Sequence, residues 1–153
     1  MPRIVFAARI VLGSILLAFG LNYFVHFLPE MDMSEQGIGF LIALLETGYV
    51  FPVIKTVEIV AGVLLIAGAF VPLALTLVAP VIVNIALYHL YLDSNGWWIA
   101  ATVTLLEVFL AVAYRDAFKG LFQVRTSPSA LWQDQPAVRR PPAKELVEDP
   151  IRS

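Results

Sequence analysis

Residues 51–70 read FPVIKTVEIVAGVLLIAGAF. Only Lys55 and Glu58 are charged in this run, and its apolar residues are continuous rather than alternating. A helix rises about 1.5 Å per residue, so twenty residues reach about 30 Å, the thickness of a bilayer's hydrocarbon core. A strand of a membrane barrel would instead alternate apolar and polar residues. The stretch therefore predicts a transmembrane helix. Three more runs meet the same test: Ile4 to Phe27, roughly Leu73 to Leu92, and roughly Trp97 to Tyr114. The expectation is an all-α integral membrane protein, a four-helix transmembrane bundle over residues 1–122.

Composition agrees. Of 153 residues, 59% are hydrophobic and 14% charged, against about 45–50% and about 25% in a soluble domain. So few charges cannot cover a water-soluble globule, which excludes the usual cytosolic enzyme, a disordered chain and a nucleic-acid binder. The chain has no cysteine. Disulfide chemistry, cysteine-ligated clusters and covalent haem are thereby excluded, and a redox role would need a bound quinone, a histidine-ligated haem or a partner subunit.

The net charge of −2 matters less than its distribution. Arg3 precedes the first run, and Arg115 and Lys119 follow the fourth. The Leu28–Val50 loop holds Glu30, Asp32, Glu35 and Glu46 but no Lys or Arg, and the Asp93–Gly96 turn is also without bases. Basic residues mark the cytoplasmic side, so both termini are expected to be cytoplasmic. Tyr23, Tyr49, Tyr91, Trp97 and Trp98 would anchor the outer interface and Tyr114 the inner one. The first run also admits a signal-peptide reading, with Arg3 as its basic end and Ala18-Phe19-Gly20 as small residues for cleavage. Against that, the apolar run continues to Leu28 and Arg9 interrupts it.

The connections differ in kind. Val71-Pro72 is expected as a tight inner turn and Asp93-Ser94-Asn95-Gly96 as an outer one. The first outer loop contains Ile38–Leu45, apolar but too short to span. It reads as an interfacial or re-entrant helix starting near Ser34 and stopping at Gly48, or as an extension of the second span across a kink. Residues 123–153 are polar and hold Pro128, Pro136, Pro141, Pro142 and Pro150, which reads as a flexible cytoplasmic tail.

Ionisable groups inside spans cost about 2.5–3.5 kcal/mol each on insertion scales and normally face the bundle interior. Arg9 and Glu107 fall roughly 8 and 10 Å from the inner edge at 1.5 Å per residue. They are expected as a buried pair, unless Arg9 snorkels to the interface. Asn22, His26, Lys55, Glu58, Asn84 and His89 fall in the outer half. Asn22 and His26 are i,i+4 and Lys55 and Glu58 are i,i+3, so each pair shares a face. Converging polar faces among Phe, Tyr and Leu make a small-ligand pocket open to the outside; the same residues could instead be interhelical hydrogen bonds that hold the bundle. His26 and His89, with Glu58 or Asp93, are thin grounds for a metal or a b-type haem, since no tight spacing joins them. No metal site is expected. Pro80 interrupts the third span. Ser14 and Ala18 with Gly13 and Gly20, and Gly62 with Gly68, provide small-residue stripes for close packing. Phosphate loops, nucleophile elbows and zinc-helix motifs are all missing.

Arg9 to Gly13 forms an Arg-x-x-x-Gly element, followed by Phe19-Gly20-Leu21-Asn22; Glu58 to Gly62 forms Glu-x-x-x-Gly, running on to Gly68. In order and spacing these resemble the DoxX family of small bacterial four-span membrane proteins, over about residues 3–122. The family often carries a Lys a few residues after the position of Gly20, where this chain has Asn22, Tyr23 and His26. The resemblance implies a four-helix bundle. The name-giving relative is similar to a subunit of a thiosulfate:quinone oxidoreductase, other relatives look like accessory parts of redox or stress-response complexes, and distant ones look like chaperones or cargo receptors. Kinship of fold does not fix chemistry. The expectation is a DoxX-like accessory or subunit of a quinone-linked redox system, with a redox partner protein. Asn84 or His89 would bond a quinone carbonyl, and Glu58 or His26 would carry a proton. A non-enzymatic chaperone or assembly partner and a small oligomeric transporter are the other readings.

Overall fold

The computed structural model describes residues 2–29 and 32–120; the segment 123–153, read above as a tail, lies outside them. The described residues form helices joined by turns and short irregular segments, without strands. The helices are α1 (Pro2–Val25), α2 (Glu35–Glu46), α3 (Val50–Ala67), α4 (Val71–Tyr91), α5 (Trp97–Ala113) and the short α6 (Arg115–Phe118). α1, α3 and α4 are long and apolar enough to cross a membrane. α5 is equally apolar in character and one residue shorter than α3. Each of these four helices falls within a residue or a few of a run picked out by hydropathy.

Four helices pack in a ring, α1 on α3, α3 on α4, α4 on α5 and α5 back on α1. Each buries one narrow stripe. On α1 it is Ala8, Leu12 and Leu16; on α4 Val71, Ala74, Leu75, Val78 and Ile82; on α5 Ala100, Val103, Glu107 and Leu110. Steps of three and four keep such residues on one helix face. The outward faces remain apolar, for example Val11, Val60, Val83, Leu105 and Val108. A bundle greasy on both its inside and its outside suits lipid as solvent.

Glycine decides how closely α1 and α3 approach. A methyl added at Gly13 would come within 2.9 Å of the Gly62 carbonyl oxygen, and one at Gly62 within 2.8 Å of the Gly13 carbonyl oxygen. Gly20 lies as close to Ile59. The stripe is thus Gly13 and Gly20. Ser14 is exposed and Ala18 only half-buried, so these two are not its centre.

The turn between α3 and α4 is Gly68-Ala69-Phe70 rather than Val71-Pro72. Gly68 adopts the left-handed conformation at φ 71°, and the Ala69 N–H reaches back to Leu64 O at 3.1 Å. This is a Schellman closure, which needs a residue tolerant of positive φ. Val71 and Pro72 instead open α4, where the proline's missing N–H costs nothing.

The Ile38–Leu45 stretch forms a separate helix, not an extension of α3. Ser34 caps α2, its Oγ accepting from Gly37 N at 3.1 Å, and Gly48 at φ 74° ends the segment before α3 begins. Tyr49, Tyr91, Trp97 and Trp98 are exposed at the α2 end of the bundle, while Tyr23 stacks on Phe51.

Candidate functional site

At the α2 end the ring of helices is not filled. A cavity of about 470 Å³ opens between α1, α3, α4 and α5, and α2 lies over it. Its walls are mostly apolar: Ile15 and Phe19 from α1, Ile54 from α3, Ile99 and Val103 from α5. Phe40, Leu41 and Leu44 of α2 add to the lining, with Asp32 and Met33 before it and Asp93, Asn95 and Gly96 of the α4–α5 turn. Cavities of a few hundred cubic ångströms, apolar with a few polar groups, are where proteins hold small molecules.

Four of the six residues expected to bind a ligand line this cavity: Lys55, Glu58, Asn84 and His89. Lys55 and Glu58, one turn apart on α3, are joined by a forked contact. The Lys55 ammonium donates to both carboxylate oxygens, at 3.1 and 2.8 Å. Glu58 is 2% exposed. The pair brings charge into the cavity in a neutralised form, which is how an intramembrane carboxylate becomes tolerable.

Asn84 lies on α4, one turn beyond Pro80. It makes no side-chain hydrogen bond to another described residue, and it is exposed and lines the cavity. His89 is committed on one side. Its Nδ1 lies 2.9 Å from the Asp93 carbonyl oxygen. A carbonyl only accepts, so Nδ1 carries the proton, and in the neutral ring Nε2 is left as an acceptor. His89 is therefore suited to receive a hydrogen bond from a ligand hydroxyl, not to donate one to a ligand carbonyl. That revises half of the role expected for it. Asn84, with two amide hydrogens, remains the donor for a carbonyl.

Asn22 and His26 are not among the lining residues. Asn22 turns its side chain back on the chain, and its Oδ1 accepts from Leu28 N at 2.7 Å. α1 ends at Val25, and His26 sits past that end at φ 51°, exposed. The i,i+4 relation holds only while the helix continues, and here it stops one residue too early. Asn22 shapes the exit from α1, and the proton-carrying role given to His26 has no geometric basis.

The Arg9–Glu107 pair does not form either. The Arg9 guanidinium lies against Gly68, where an added methyl would meet Nη1 at 2.7 Å. It also sits 5.4 Å from the centre of the Phe6 ring, and its Nη1 is 3.5 Å from the Tyr114 hydroxyl. Glu107 is 8% exposed, and its Oε2 has no hydrogen-bond partner among the described residues. The expectation rested on similar depth alone; Arg9 instead lies by Gly68 at the end of α3 and Tyr114 at the end of α5.

Asp32, Tyr88, Asp93 and Asn95 also line the cavity and are not among the six residues expected there; as a ligand contact, Asp93 enters the sequence reading only beside the histidines. Asp93, 3% exposed, is the hub of the α4–α5 turn. Its Oδ1 accepts from Asn95 N at 3.1 Å, its Oδ2 lies 3.4 Å from the Tyr88 hydroxyl, and its own carbonyl holds His89. Tyr88 lines the cavity beside it and faces Phe40 of α2, ring centres 5.9 Å apart. The signal available was the Asp-Ser-Asn-Gly turn itself: an acid heading a turn commonly bonds the backbone two residues on. No cluster of three or more metal-ligating side chains occurs among the described residues.

Compared with protein families, curated proteins and solved structures, the chain finds no match.

Proposed function

We propose that this chain is a four-span protein of the bacterial inner membrane that binds a small lipophilic molecule at its outer side, as an accessory or subunit of a quinone-linked redox system. The observation that carries this reading is the lining of the cavity: mostly apolar, with Lys55, Glu58, Asn84 and His89 among its polar groups, beside Asp32, Tyr88, Asp93 and Asn95. In the proposed topology α5 is the fourth span. Its 17 residues reach about 25 Å at 1.5 Å each, within the range of a short span. Both termini are then cytoplasmic, and α2 lies along the outer interface. DoxX-like ancestry fits this topology through Arg9, Gly13, Glu58 and Gly62.

A ring bearing a carbonyl and a hydroxyl suits the polar groups. Asn84 donates to the carbonyl, His89 Nε2 accepts from the hydroxyl, and Glu58, held by Lys55, is the group able to exchange a proton. A quinone in its oxidised and reduced forms presents both functions in turn. The test is quinone binding to the purified full chain. The expectation is a loss of about tenfold or more in affinity on Asn84→Leu, since a carbonyl then loses its donor in an apolar site. Binding that is unchanged by Asn84→Leu, and also by Glu58→Gln with His89→Ala, removes these residues from the role. Mass spectrometry of the lipid extract that co-purifies would identify the molecule itself.

A further inference from the structure

The cavity is not walled off from the lipid. On the outside of α4 lies a second, shallower concavity, and it shares Phe40, Pro80, Asn84 and Tyr88 with the first. These four residues line both the interior and the bilayer-facing groove. The rest of the groove is lipid-facing α4 surface. Val83 is 57% exposed and Leu87 49% exposed, and Tyr91 stands beyond them near the outer interface.

Two features mark this wall as an entrance. Asn84 belongs to both concavities and has no hydrogen-bond partner among the described residues. An amide without partners at membrane depth is costly, and a ligand head passing or resting there would satisfy it. The roof beside it is lightly fastened. α2 touches the ring mainly at α3. On the α4 side it is held by the Ser34 hydroxyl, which donates to Leu92 O at 2.7 Å, and by Gly37 and Phe40 against Tyr88.

Resting on the cavity reading above, we propose that the ligand is a tailed amphiphile that enters sideways from the outer leaflet, between α2 and α4. Its ring or head sits at Asn84 and the Lys55–Glu58 pair. Its hydrocarbon tail runs out past Phe40 and Tyr88 and lies along Val83 and Leu87. A compact, water-borne ligand would have no use for the groove.

Two probes with one head separate these cases: a dimethoxy-methyl-benzoquinone carrying a decyl tail, and the same ring without one. Binding is measured to the full chain in phosphatidylcholine nanodiscs, with concentrations corrected for partition into the lipid. Val83→Trp with Leu87→Trp fills the groove without touching the cavity lining. Leu105→Trp with Val108→Trp places the same bulk on the lipid face of α5. The expected result is a loss of about tenfold for the decyl probe on filling the groove, from methylenes that lose their contact surface. The bare ring should bind the groove-filled and native chains alike, and the α5 pair should change neither probe. The proposal is overturned if the filled groove leaves the decyl probe unaffected, or if it weakens both probes equally. It is also overturned if the bare ring binds the native chain as tightly as the tailed one. Loss of ring binding on Asn84→Leu together with an inert groove would sink the sideways entry but keep the cavity. Ring binding indifferent to Asn84→Leu and to Glu58→Gln, or no binding of either probe to the native chain, removes the cavity reading and this one with it.

Discussion

Glu58 and Glu107 are both withdrawn from the surface of the bundle, but only Glu58 has a cation within reach. The difference sets the sign of what substitution does. Removing Glu58 strands the Lys55 ammonium in an apolar cavity. Glu58→Ala is expected to destabilise by on the order of 3 kcal/mol, the usual consequence of halving a buried pair. Lys55→Met combined with Glu58→Leu should recover most of that loss, because the pair's attraction mainly offsets its own desolvation. Glu107 is the opposite case. Its Oε2 lies unpartnered in the α5 stripe between Val103 and Leu110, so Glu107→Leu is expected to stabilise by about 1–3 kcal/mol, the desolvation penalty of an unsatisfied group. Unfolding of the three variants in mixed micelles checks both claims. A destabilising Glu107→Leu would mean that the carboxyl has a partner or a job. Asp93 belongs with Glu58: it bonds Asn95 and fixes the His89 tautomer through its carbonyl. Asp93→Ala removes the bond to Asn95 and keeps the backbone carbonyl on His89, so it should loosen the turn and reduce ligand binding only as far as the loosened turn moves His89.

At the scale of helices, what decides packing is which residue lets two backbones meet. Gly13 and Gly62 each stand under 3 Å from the other's carbonyl once a methyl is added, so the α1–α3 crossing has no slack. Gly62→Val is expected to cost about 1–3 kcal/mol or more through overpacking, whereas Ala18→Val, on the half-buried flank of α1, should stay well below that. Thermal unfolding in detergent tells them apart. The helices themselves were legible in the sequence, because a run of twenty apolar residues has few structural solutions. Ser34 and Gly48 announced both ends of α2, through a capping hydroxyl and a glycine stop. What hydropathy could not give was rotation about each helix axis. Depth placed Arg9 and Glu107 in one layer, yet Arg9 lies by Gly68 and Tyr114 instead. Within α3, where helix and spacing both hold, Lys55 and Glu58 paired as i,i+3 geometry requires. At the end of α1, where the helix stops at Val25, the same rule failed for Asn22 and His26. Sequence distance converts into a shared face only inside an unbroken helix, and terminal residues are where that condition lapses.

Over the whole molecule, cavity, roof and entrance all depend on the chain crossing the bilayer four times, and α5 is the shortest of the four helices proposed to do so. A three-span protein would place Arg115 and Lys119 outside, against the rule that basic residues stay in, and would leave the exposed apolar face of α5 in water. The sequence has no cysteine, so single introduced thiols report their side of the membrane without background. Glu46→Cys, at the end of α2, and Ser94→Cys, in the α4–α5 turn, are both exposed and should react with a membrane-impermeant maleimide in intact spheroplasts. Ala69→Cys, in the α3–α4 turn, and Lys119→Cys, beyond α5, are equally exposed and should react only after lysis. Lys119→Cys is the deciding site. Labelling from outside would take α5 out of the membrane, remove one wall from the cavity at Ile99 and Val103, and leave the head of any ligand facing water. Protection until lysis fixes the cavity on the outer side, where a molecule diffusing in the outer leaflet meets the wall that Asn84 and Tyr88 share between groove and cavity.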